Sequence, residues 1–137
     1  MNQPLTFQVP LSDSYDIAVE KVTSALKVEG FGVLTHIDVK ETLKEKLDAD
    51  FRPYVILGAC NPPLAHRALQ SEPLVGLLLP CNVTVEEIDE GSLVSIINPE
   101  SMLTTHPLSG NQSIKKVASQ ARSRLERVVA ALENGKN

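Results

Sequence analysis

The sequence predicts an α+β fold: an antiparallel sheet of about five strands, covered on one face by two long helices and accompanied by two short ones. Three observations lead there. The elements read along the chain as β-α-β-(short α)-β-α-β-β-α, without the strict alternation of a doubly wound parallel sheet. Residues 83–97 hold two β-rich runs joined by Asp89-Glu90-Gly91, a three-residue hairpin loop with glycine where a left-handed backbone is favoured. Residues 14–29 and 114–132 each carry one apolar face at helical spacing. A chain of 137 residues is read as a single domain, 1–137, long enough to bury one core.

The first strand is expected over 5–9, LTFQV, ended by Pro10. Ser12 and Ser14 are candidate caps for a helix over 14–29, in which Ile17, Ala18, Val22, Ala25 and Leu26 recur on one face and Gly30 stops the run. FGVLTHI, 31–37, is the next strand, with His36 half-buried in it. Asp38 followed three residues later by Glu41 has capping-box spacing. The helix it starts has only Val39, Leu43 and Leu47 as a thin apolar stripe, so it belongs to the surface.

YVILGAC, 54–60, is apolar throughout and reads as a buried strand. Asn61-Pro62 is a strong helix start, because asparagine caps and proline suits the first helical position. Leu64, Ala65, Ala68 and Leu69 face inward on that helix, and Glu72-Pro73 ends it. After the hairpin, 98–111 reads as loop, with two prolines and a glycine. The last helix has the clearest pattern in the chain: Ile114, Val117, Ala118, Ala121, Leu125, Val128, Val129 and Leu132, stopped by Gly135.

Composition narrows the function. Seventeen acidic against 13 basic residues give a net charge of −4 and a pI near 5.3. That balance argues against general affinity for nucleic acid or acidic membranes, which need excess positive charge. There is no secretory signal pattern and no apolar run of membrane-spanning length, so a cytoplasmic location is expected. Thiols stay reduced there, and a Cys60–Cys81 disulfide is not the default. The chain has no GxGxxG, Walker or GxSxG motif, and Glu86 and Glu87 point to opposite strand faces.

The chemistry-bearing residues concentrate in GACNPPLAHRALQSEPLVGLLLPCN, 58–82, which holds both cysteines. Cys60 lies just before a helix cap, where the helix dipole and free backbone N–H groups would lower a thiol pKa. Cys81 opens a strand after Pro80. If the two strands are neighbours, Cys60 and Cys81 could converge, and His66 or His106 could complete a zinc or copper(I) set. Against this, Cys60 reads first as a buried cysteine ending an apolar strand, Cys81 alone is uninformative, and Cys-x20-Cys is a weak metal spacing. Asn61 and Asn82 could hold a small polar ligand, although Asn61 suits its cap. His106 sits in a loop, where functional residues concentrate. Lys115, Lys116, Arg122, Arg124 and Arg127 read as the charged outer face of the last helix.

The strings GACNPPLA, GLLLPCNVTV and EGSLVSIINP, supported by EGFGVLTHID at 29–38, resemble the family catalogued as domain of unknown function 302. The resemblance covers nearly the whole chain. It implies a TATA-binding-protein-like α+β fold, with a curved antiparallel sheet backed by two helices, and a homodimer. It implies no established activity. Three functions are therefore carried forward. The favoured one is a small homodimeric binding domain without catalysis, its ligand and any cofactor unknown, centred on Cys60, Asn61, Cys81, Asn82 and His106. The alternative is a thiol-based redox or metal-handling protein using Cys60, Cys81 and His66. A nucleic-acid binder using the sheet rests on fold analogy alone and conflicts with the acidic charge. A dimer also has a physical reason, since 54–60 and 93–97 are too apolar for a sheet with one wet face.

Overall fold

The computed structural model describes residues 4–105 and 107–135. The elements are β1 (Thr6–Leu11), α1 (Tyr15–Val28), β2 (Gly32–Asp38), α2 (Val39–Leu47), β3 (Tyr54–Cys60), α3 (Pro62–Ser71), β4 (Cys81–Ile88), β5 (Gly91–Ile97), α4 (Pro99–Leu103) and α5 (Gln112–Asn134). Short 3-10 turns cover Pro73–Leu78 and Leu108–Gly110. The five strands form one antiparallel sheet in the order β1-β5-β4-β3-β2, as the α+β reading requires.

The core follows from strand alternation and helix periodicity. Val55, Leu57, Val83, Val85, Val94 and Ile96 point to one sheet face. Ala18, Val22 and Leu26 of α1 pack on them, with Leu125, Val128 and Leu132 from the C-terminal half of α5. The N-terminal half of α5 does something else. Its Ile114, Val117, Ala118 and Ala121 form a second cluster with Leu64 and Ala68 of α3, Val75 and Leu103. One helix thus spans two apolar cores, and α3 and α4 cover the second.

Several local expectations are corrected. Pro10 does not end β1; it pairs with Leu93 inside the strand. This is tolerated because β1 is an edge strand, where the missing N–H can face away from the ladder. The hairpin loop is two residues rather than three, since Ile88 pairs with Gly91 and Gly91 is the first residue of β5. Gly91 has φ 121°, and a Cβ there would lie 2.1 Å from the Leu11 carbonyl oxygen, so glycine is required. The stretch 98–111 is not all loop. Asn98 accepts from the Glu100 N–H at 3.0 Å with Pro99 in the first turn, and α4 follows. His36 is exposed rather than half-buried. It lies on β2, the other edge strand, which has a neighbour on one side only.

Two features position the centre of the chain. The Leu79–Pro80 peptide bond is cis. Gly58, on β3, lies under both Pro80 and Thr35: a Cβ there would sit 2.0 Å from Thr35 Oγ1 and 2.7 Å from Pro80 Cγ. Only the absence of a side chain lets β2, β3 and the lead into β4 close at this point. Gly58→Ala is therefore expected to destabilise the fold by about 1–3 kcal/mol, the usual range for overpacking. A lower urea midpoint at unchanged m-value is the predicted readout; an unchanged midpoint would contradict it.

Candidate functional site

β3 passes into α3 without a spacer, and this junction organises the site. Cys60 ends the strand and Asn61 caps the helix. Asn61 is buried, at 8% exposure. Its Oδ1 accepts from the Leu64 N–H at 3.3 Å, and its Nδ2 donates to the Glu29 carbonyl at 3.5 Å. The cap expected from Asn61-Pro62 is thus present, and it also ties the end of α1 to the start of α3.

Cys81 opens β4 directly opposite Ala59, so the two cysteines are one residue apart across the β3–β4 ladder. Both are free thiols and both line one pocket of about 240 Å³. The sheet end supplies Ala59, Cys60 and Cys81; α3 supplies Leu64, Ala65, Ala68 and Leu69; α5 supplies Val117 and Ala121. Phe31, Leu34, Leu79, Pro80 and Leu103 complete the wall, and Asn61 is the one amide in it. The void exists because small residues converge. Four alanines and two cysteines stand where larger side chains would close the gap between the two apolar clusters.

Of the two readings of Cys60, an activated thiol and a buried residue ending a strand, the surroundings favour the second. Burial pushes the Cys60 thiol up from its ordinary value, not down. The helix start offers little to oppose this. Pro62 and Pro63 have no N–H, the Leu64 N–H is taken by the Asn61 side chain, and the Ala65 N–H by the Asn61 carbonyl at 2.9 Å. The first turn of α3 therefore has no free backbone N–H to offer a thiolate. Cys81 is more deeply buried and is pushed up to about 11, first by burial and then by neighbouring Cys60. Both thiols are protonated at neutral pH.

The other expected site residues separate. Asn82 points away from Cys81 and is exposed, outside the pocket wall. His66 is exposed on the solvent side of α3. His106 lies outside the described residues. Among the described residues, no three His, Cys, Asp or Glu side chains are grouped so as to hold a metal ion. The pocket's alanines were not singled out from the sequence as a site. Their signal, small residues at 65, 68 and 121 on two helices, is faint without knowing that α3 and α5 touch.

A family model, domain of unknown function DUF302, matches residues 7–132. The chain belongs to the DUF302 family. The crystal structure of uncharacterized conserved protein DUF302 from Bacillus stearothermophilus is similar at 32% sequence identity and a TM-score of 0.82, covering 95% of this chain and 99% of that one. A comparison with curated proteins gives no match. In this DUF302 chain no helix among the described residues is long and apolar enough to cross a membrane.

The buried thiol makes stability fall at high pH. An unfolded Cys81 loses its proton near its ordinary value of 9.0, while the folded form keeps it until about 11. The unfolded state therefore gains charge first, and stability drops by about 2–3 kcal/mol across that window. Urea unfolding of the parent and of Cys81→Ala at pH 8 and at pH 11 should show a larger loss in the parent. Parallel losses in both would contradict a buried, protonated Cys81.

Proposed function

We propose that this DUF302 chain is a non-catalytic, homodimeric, cytoplasmic binding module whose pocket at the β3–α3 junction takes a small apolar molecule. The observation that carries this reading is the pocket itself: about 240 Å³, walled by aliphatic side chains and two protonated thiols. An apolar cavity of about 150 Å³ is enough to hold benzene, so this one suits a somewhat larger hydrocarbon or aromatic group. At its edge Leu34 is 69% exposed and Leu69 41% exposed, and a ligand would cover apolar surface that is otherwise wet. Among the described residues lining the pocket, no His, Asp, Glu or Lys stands beside either thiol, which favours binding over nucleophilic catalysis.

The homodimer reading is supported by the sheet face opposite α1 and α5. By alternation that face carries Ile56, Leu93 and Ile97, all partly exposed, together with Ile37 at 46%. Pairing two such faces would remove this apolar surface from water. The cytoplasmic reading rests on the free thiols and the sequence argument above.

Two measurements test these readings. Thermal unfolding with straight-chain alcohols from hexanol to decanol should show stabilisation that peaks at one chain length. Saturation ten- to hundredfold above Kd corresponds to about 1–3 kcal/mol. Ala65→Phe, which fills the pocket from α3, should remain folded and lose the response. No shift at any chain length, or an undiminished shift in Ala65→Phe, would contradict the ligand reading. For the dimer, light scattering at micromolar concentration should give twice the 14.9 kDa chain mass, and Ile56→Asp should halve it. A parent monomer would contradict the assembly.

A further inference from the structure

The charged face of α5 is not uniform. Arg122 turns away to pair with Glu100 at 2.7 Å. Arg124 and Arg127 instead line a groove between α3 and α5, and Arg67 of α3 joins them from the opposite wall. This groove has a volume of about 480 Å³ and also presents Ser119, Ser123 and Gln120. It opens on the Pro63 and Arg67 flank of α3, whereas the apolar pocket opens on the Ala65 and Leu69 flank; Asn61 and Leu64 stand between the two and border both.

The charge of the groove is only partly compensated. Arg127 pairs with the Glu29 carboxylate at 2.8 Å. Arg124 donates to a neutral group, the Glu29 carbonyl, at 3.2 Å. Arg67 also meets a neutral partner, the Gln120 side-chain oxygen. Among the described residues, three guanidinium groups thus face one paired carboxylate, in a chain whose net charge is −4. The neutral partners hold two of them in place without cancelling their charge, an arrangement suited to an oxyanion that accepts several N–H bonds. Arg67 also lines the next groove along the same helix pair, of about 420 Å³, with Lys116, Ser71 and Ser113. Arg67 therefore stands between two polar, basic compartments.

The geometry points to a diphosphate-binding site between α3 and α5, with Arg67 bridging two phosphoryl groups, Arg124 and Arg127 holding one and Lys116 the other. The ligand class is a soluble small molecule carrying adjacent phosphates. Orthophosphate can fill only one compartment and binds more weakly. Its basic residues do not line the apolar pocket, although Asn61 and Leu64 border both, and the proposal does not rest on a ligand in that pocket.

Titration calorimetry with sodium pyrophosphate and with sodium orthophosphate tests this, together with amide NMR shifts. Pyrophosphate should bind at least about tenfold more tightly than orthophosphate, and shifts should concentrate at Ser119, Gln120 and Ser123. Raising sodium chloride should weaken it, as for any exposed charge pairing. Arg67→Gln alters an exposed residue and should fold normally while weakening pyrophosphate about tenfold. Arg52→Gln, at a different part of the surface, should bind like the parent. Absence of pyrophosphate binding, equal affinity for the two anions, an unaffected Arg67→Gln, or an equal loss in Arg52→Gln would overturn the site. Sedimentation with phosphatidylcholine vesicles containing phosphatidic acid separates the two sources of phosphate. The chain should stay in the supernatant, and pelleting that Arg67→Gln abolishes would overturn the soluble ligand.

Discussion

The buried amide of Asn61 is the constraint on which the rest of the site depends. A buried polar group must be hydrogen-bonded, and this one is satisfied on both sides: it caps α3 and it reaches the Glu29 carbonyl at the end of α1. Arg124 of α5 donates to the same carbonyl, so three helices meet at one peptide group. Gly30 completes the knot. It has φ 87°, and a Cβ there would stand 3.0 Å from Asn61 Nδ2, closer than the amide could accept without moving. Here the backbone freedom of glycine and the approach of the asparagine are one requirement.

With that junction set, the two sides of α3 acquire different chemistry. One flank looks into the seam between the sheet core and the second cluster, where alanines and thiols leave an apolar void. The other flank looks onto α5, where guanidinium groups gather around neutral oxygens. The partition comes from helical periodicity. Leu64 and Ala68 point at α5 and seal the interior, Ala65 and Leu69 turn one way, and Pro63 and Arg67 turn the other. A ten-residue helix thereby separates a greasy compartment from a basic one.

Much of the fold was legible because local signals agreed with one another. Asn61-Pro62, the apolar stripe of α5, and Asp38 with Glu41 each placed an element close to where it lies. The same asparagine-proline signal recurs at Asn98-Pro99, but it sits among prolines and a glycine that read as loop, and α4 is too short to show periodicity. The protonated thiol at Cys60 was also legible in principle, since Pro62 and Pro63 remove the donors that a thiolate would need. The pocket was not. A void is the absence of side-chain volume at positions 59, 65, 68 and 121, which come together only after α3, α5 and the sheet have packed. The basic groove was half legible: its α5 arginines form a stripe, whereas Arg67 arrives from another helix.

Xenon binding under pressure tests most directly whether the seam at the β3–α3 junction is an open apolar site. Xenon occupies dry apolar cavities and is not drawn to polar, hydrated ones. A crystal of the reduced protein under xenon should show the gas between Ala59, Ala65, Ala68 and Ala121. A seam closed by repacked side chains, or filled by ordered water with no xenon, would contradict the apolar site on which the proposed function rests.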